Sequence, residues 1–187
     1  MSPRRRQPTR FVALLRGVNV SGHRKVPMAE LRGLCESIGL GDARTYLQSG
    51  NVVFTSEVAP AAVGRALEAA IEAELGVTTT VLLRSKEALD SVVEHNPFLR
   101  ASGGTESLYV TFLAAGAAPA RRAVLDQTEV DAGPDEFAVS GTEVYLSCPG
   151  GYGRTKLNNS FFERRLAVTA TTRNWKSVVA LAEMAGH

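Results

Sequence analysis

Four stretches of this chain concentrate side chains able to do polar chemistry. Arg16 to Lys25 carries Arg16, Asn19, His23, Arg24 and Lys25 among Gly17 and Gly22. The second stretch is Gln48-Ser49-Gly50-Asn51. Guanidinium, ammonium and amide groups beside glycines, which leave backbone N–H groups unobstructed, form a donor set suited to phosphate or carboxylate. A structural use fits the same residues: Arg16, Gln48 and Asn51 satisfying loop carbonyls and holding a hairpin. The third stretch, Gly150-Gly151-Tyr152-Gly153-Arg154-Thr155-Lys156, reads as a basic loop opening a helix, where free amides and the helix dipole attract anions. Tyr152 beside Arg154 and Lys156 suits stacking on a base with its phosphates held alongside. The spacing is not that of a Walker loop, and glycines that merely turn the chain account for it as well. In the fourth, Thr171-Thr172-Arg173-Asn174, Thr172 reads as the cap of the final helix, with Arg173 and Asn174 in its first turn. A positive side chain there opposes the dipole unless an anion offsets it, either the acidic segment Asp126–Glu143 or a ligand phosphate.

Covalent and metal chemistry find little support. His23, His95 and His187 are isolated, without HxxxH or HExxH spacing, so no metal site is expected. Ser49 lacks the GxSxG context of a nucleophile elbow; His23 is the one candidate to activate it. Cys35 and Cys148 form no CxxC pair and fall on apolar faces, so both read as core thiols.

Composition sets the bounds. With 187 residues, 44% apolar and 21% charged, the chain is an ordinary globular protein able to bury a core without staples. No apolar run approaches a membrane span and the start has no secretory signal, so a cytoplasmic protein without membrane partners is expected. The net charge of +2 is smaller than the three charges of Arg4, Arg5 and Arg6, so the total says little about nucleic acid. The distribution says more. Five basic residues against Glu30 lie between Arg10 and Arg32, six against Glu163 between Pro149 and Lys176, and six acids without a base between Asp126 and Glu143.

The elements that must position these groups follow from periodicity. Arg10–Arg16 is a strand apolar on both faces, hence central in its sheet. A helix starts at Pro27 and ends at Gly39. Strands at Ala43–Gln48 and Val52–Thr55 join in a tight turn at Ser49-Gly50-Asn51, a helix spans Pro60–Leu75, and Thr78–Leu83 returns as a strand. That order, βαββαβ, is the split βαβ arrangement of ferredoxin-like domains. After a helix capped by Ser85, the second half reads as strand Ser107–Leu113, helix Pro119–Leu125, strands Phe137–Ser140 and Glu143–Cys148, helix Lys156–Leu166 and a last helix Thr172–Ala185. The expectation is an α+β protein of two ferredoxin-like subdomains, βαββαβ and βαββα plus an extra C-terminal helix. Residues 1–9 would be a disordered basic tail, 10–84 the first subdomain, 85–106 a linking helix and connector, and 107–187 the second subdomain. In a split βαβ sheet the loop after the first strand and the tip of the hairpin lie at one end.

Leu14-Leu15-Arg16-Gly17-Val18-Asn19-Val20 with Lys25-Val26-Pro27-Met28, then Tyr46 to Phe54, then Thr171 to Trp175 resemble the signature stretches of the bacterial family known as domain of unknown function 1697. The resemblance runs from about Arg10 to Ala185 and implies paired α+β subdomains, with no catalytic residue, cofactor or substrate attached. Ser21 stands where a second glycine is expected. Taken together, the residues point to a protein that binds an anionic or phosphate-bearing ligand, a nucleotide or single-stranded nucleic acid. Arg16, Asn19, Lys25, Gln48, Ser49 and Asn51 would supply the contacts, and Arg154, Lys156, Arg173 and Asn174 would complete them from the second half. Two other classes fit: a phosphoester- or nucleotide-processing enzyme using the same donors, and a protein-interaction or structural module.

Overall fold

A computed structural model describes residues 8–20, 22–100, 104–127 and 132–187. The Arg4–Arg6 tail and Ser21 lie outside these, as do the backbone of residues 128–131 and the side chains of Asp126 and Gln127 in the acidic segment. The chain divides into two compact units, one of residues up to Leu89 together with Leu181–His187, the other Asp90–Ala180.

In the first unit, β1 (Thr9–Leu15) is central, as an apolar pattern on both faces requires. It pairs antiparallel with β3 (Asn51–Ser56), placing Phe11 opposite Phe54 and Ala13 opposite Val52, and with β4 (Val81–Ser85), placing Leu15 opposite Val81. β2 (Gly41–Thr45) pairs antiparallel with β3 at the edge, giving the order β2-β3-β1-β4. β1 and β2 therefore run parallel, with β3 between them. The face carrying Phe11, Ala13, Leu15, Val52 and Phe54 packs with Leu31 and Cys35 of α1 (Met28–Ser37) and with Val63, Leu67 and Ile71 of α2 (Pro60–Leu75). Val12 and Leu14, on the alternate face, are buried too. α1 follows Pro27, α2 has Pro60 as its first residue, and α2 ends at Gly76 in the left-handed conformation, φ +63°. α3 (Lys86–Glu94) begins where Ser85 accepts the Ala88 amide at 3.2 Å, the cap expected of that serine.

The second unit repeats the order. β5 (Leu108–Leu113), α4 (Pro119–Gln127), β6 (Glu136–Ser140), β7 (Glu143–Ser147) and α5 (Asn159–Leu166) lead to β8 (Ala170–Asn174), with sheet order β6-β7-β5-β8. Two ferredoxin-like subdomains are thus present, and the second is more complete than its sequence suggests. Ala170–Asn174, expected to run into the last helix, is a strand paired with β5. The reason is side-chain chemistry: Thr172 lies opposite Thr111, and their hydroxyls meet at 2.7 Å, a cross-strand threonine pair.

The last helix, α6, consequently starts at Trp175 and runs to Gly186. Its cap is Asn174 and not Thr172: Asn174 Oδ1 accepts the Ser177 amide at 2.8 Å. Asn174→Ala is expected to destabilise the protein by about 1 kcal/mol, read as a shift in the urea midpoint; a change below about 0.3 kcal/mol would remove the cap assignment. Asn158 caps α5 in the same way, accepting the Phe161 amide at 3.0 Å. That helix begins three residues later than the Lys156 expected from pattern: a short 3₁₀ turn spans Tyr152–Arg154, Thr155 Oγ1 then accepts the Leu157 amide at 3.0 Å, and the cap falls at Asn158.

Candidate functional site

Because β1 and β2 run the same way, the loop that leaves β1 and the hairpin that leaves β2 share one end of the sheet, as expected from the split βαβ order. The junction is tied at several points. Gly50 O accepts the Leu15 amide at 2.8 Å, and Asn19 Nδ2 donates to Gln48 O at 2.6 Å. Asn19 also closes its own loop: Nδ2 donates to Val26 O at 2.9 Å and Oδ1 accepts the Val26 amide at 2.8 Å. The start of the loop is held from β4's side, where Thr79 Oγ1 donates to Arg16 O at 2.9 Å and the Arg16 amide donates to Thr80 O at 2.9 Å.

These bonds sort the expected contact residues into two roles. Asn19 and Asn51 act as struts. Asn51 is fully buried, and its Nδ2 donates to Tyr46 O at 2.9 Å and to Ser49 Oγ at 2.8 Å, fixing the hairpin from inside. The structural use weighed for Asn51 is therefore the one observed, and it extends to Asn19. Lys25, Gln48 and Ser49 are exposed, together with His23 and Arg24, while Arg16 is half-buried. The Arg24 guanidinium lies over Gly17, where a β-carbon would come within 3.7 Å of Nη1. Arg24, between His23 and Lys25 in the chain, was not among the expected contact residues.

The backbone here is unusual. Among the described residues, five other than glycine have positive φ, and three of them lie in these two loops: Asn19 at +55°, Arg24 at +50° and Leu47 at +54°. Gly17, Gly22 and Gly50 add three more left-handed positions. Left-handed backbone costs an ordinary residue roughly 1–2 kcal/mol, and such strain gathers at ligand clamps and active sites.

Electrostatically, the loop and the hairpin tip contain Arg16, Arg24 and Lys25 and no acid. Asp42 sits at the opposite end of β2, engaged with Arg10 at 3.1 Å and Arg44 at 3.5 Å. On α2, the Glu68 carboxylate is occupied by the Val81 amide at 2.8 Å.

In the second unit, Arg154 and Lys156 are exposed on the Gly-rich loop. Arg173 is not in a first helical turn, as expected, but in β8, with only 7% of its surface exposed. Its Nη1 donates to Thr171 Oγ1 at 2.8 Å and to Thr172 O at 2.9 Å. Burial lowers this guanidinium to about 10, opposed by the nearby Tyr152, so it remains charged at neutral pH. Tyr152 is likewise turned inward. Its hydroxyl donates to Thr172 Oγ1 at 3.0 Å, and its ring lies 5.3 Å from that of Tyr109. The stacking platform imagined for Tyr152 is thus spent on the protein's own Tyr109.

Neither thiol is poised for chemistry. Burial pushes Cys35 up to about 12, with Glu36 adding to it, and Cys148 up to about 11, so neither ionises near neutral pH. Among the described residues no group of three His, Cys, Asp or Glu side chains could hold a metal, and no helix is long and apolar enough to cross a membrane.

The model of the family of proteins of unknown function DUF1697 matches residues 9–145, beginning at the first residue of β1 and taking in both loops of the junction. The chain belongs to this family. Among solved structures, the fold of this DUF1697 chain is similar to that of the conserved bacterial protein SP0830 from Streptococcus pneumoniae. The TM-score is 0.76 at 23% identity, covering 96% of this chain and 99% of that one. No curated protein matches.

Proposed function

We propose that this DUF1697 protein binds an anionic, phosphate-bearing ligand at the junction of the loop after β1 and the β2–β3 hairpin, in a bacterial cytoplasm. The observation that carries the reading is the 2.6 Å bond from Asn19 to Gln48 O, which sets an acid-free basic loop beside a hairpin tip whose Gln48 and Ser49 face solvent. Two loops held in left-handed backbone by internal amides form a preorganised rim, so little ordering entropy remains to oppose binding. Lys25, Arg24 and Arg16 supply the charge, and Gln48 and Ser49 the neutral donors. Asn19 and Asn51 hold the frame. The reading is confined to the first unit, since Arg173 and Asn174 bond within their own strand and helix start.

Titration calorimetry with phosphate, pyrophosphate and a short single-stranded oligonucleotide tests it. Affinity for the oligonucleotide should fall steeply with salt, and Lys25→Ala should weaken all three ligands by roughly threefold to tenfold, independent of base sequence. No binding, or binding indifferent to both salt and Lys25, overturns the proposal. Turnover of a phosphoester lost on Ser49→Ala or His23→Ala would replace binding with catalysis at the same place.

A further inference from the structure

Two exposed aliphatic side chains flank the bond that joins the loops. Val20, 59% exposed, follows Asn19, and Leu47, 55% exposed, precedes Gln48. Only two other large apolar residues, Val58 and Leu99, are exposed among the described residues. Single exposed apolar residues are ordinary. What sets Leu47 apart is that it is also held at φ +54°, in a conformation that suits Asn or Gly better than a branched aliphatic residue. Val20 is held in its turn by the His23 amide, which donates to Val20 O at 3.0 Å. Burial cannot explain either side chain, and local backbone preference argues against leucine at 47.

We infer that Val20 and Leu47 form an apolar platform for the base of a nucleoside phosphate whose phosphate meets the basic loop. This rests on the anion-binding reading above and specifies its ligand. The three chemistries present match the three parts of such a ligand. Lys25 and Arg24 answer the phosphate, the aliphatic pair covers a base face, and the exposed Gln48 amide offers a donor and an acceptor to a base edge. Inorganic phosphate or a sugar phosphate would use the first and leave the platform wet. A free mononucleotide and a strand of nucleic acid share the chemistry.

The test compares binding of phosphate, ribose 5-phosphate, the four mononucleotides and a ten-residue oligonucleotide to the wild-type chain and to Leu47→Asn, Val20→Ser and the double variant. Asn tolerates φ > 0, so Leu47→Asn should keep the fold, checked by an unchanged or raised melting temperature. The wild type should bind at least one mononucleotide or the oligonucleotide tenfold or more tightly than ribose 5-phosphate. In the double variant that ratio should fall to within threefold of unity, while phosphate affinity stays unchanged. Preference for the oligonucleotide with a steep salt dependence identifies a strand as the source; equal affinity per nucleotide for the free mononucleotide identifies the small molecule. Phosphate bound without any preference for a nucleoside, or a preference that survives both substitutions, overturns the platform and leaves the anion site standing. No binding of any probe overturns both.

Discussion

Gly50→Ala is expected to cost roughly 3 kcal/mol, the sum of left-handed strain and overpacking. Gly50 is buried at φ +74°, and a β-carbon there would fall 2.5 Å from Val18 Cγ2 and 2.8 Å from Leu15 Cβ. Both neighbours belong to the first unit's core, and Leu15 is paired on both sides, so neither can yield cheaply. Gly39→Ala is the matched comparison: φ is +83°, but no atom lies within 4 Å of its β-carbon. It should cost only about 1 kcal/mol, from strain alone. Urea unfolding of the two variants checks the difference. Equal losses would mean that contact with Leu15 and Val18 is not what makes glycine necessary. The same contact explains why the hairpin tip lies against the loop entry: with no side chain at position 50, its carbonyl reaches the Leu15 amide.

The first half of the fold was legible because its signals are redundant. Pro60 and Gly76 bracket α2, its apolar residues recur at helical spacing, and β1 is apolar on both faces. From that order alone followed the shared end of the sheet at which the two loops meet. β8 was missed because Ala-Thr-Thr-Arg-Asn has no alternation of apolar and polar residues and runs directly into Trp175. Its signal lay in two adjacent β-branched threonines, which favour extended backbone when they have a cross-strand partner. That partner, Thr111, is a buried polar residue in an otherwise apolar strand, visible in sequence but without meaning until the strands are paired.

The site divides along a similar line. Sequence places Arg16, Asn19, Lys25, Gln48, Ser49 and Asn51 together, yet it does not say which of them face solvent. Amides serve ligands and backbone carbonyls equally well, and only the register Leu14 to Asn51 on β3 buries the latter side chain. For Arg173 the cause is different. Its strand carries it inward, whereas a helix start would have left it exposed. Charge alone therefore overstated what the second half offers on its surface.

Asn19→Ala should destabilise the first unit by about 2–3 kcal/mol, because three side-chain hydrogen bonds disappear and alanine tolerates φ +55° less well than asparagine. A residue serving only a ligand would leave the free protein within about 0.5 kcal/mol of wild type. Asn19→Asp separates the strut from a generic polar contact. It preserves the acceptor for the Val26 amide but turns an oxygen toward the carbonyls of Val26 and Gln48, so the ionised variant should be at least as damaged as Asn19→Ala. Protonation restores a donor to that position, which raises the carboxyl's pKa in the folded state above its unfolded value. A raised folded pKa means the folded protein binds more protons, so the variant should regain stability as pH falls through that pKa and lose it again as pH rises. Wild type and Asn19→Ala lack this titration. The measurement is the difference in unfolding free energy between Asn19→Asp and Asn19→Ala from pH 7 to pH 4, with hydrogen exchange at the Val26 amide reporting the loop locally. A flat difference across that range would mean that Asn19 does not carry the two loops.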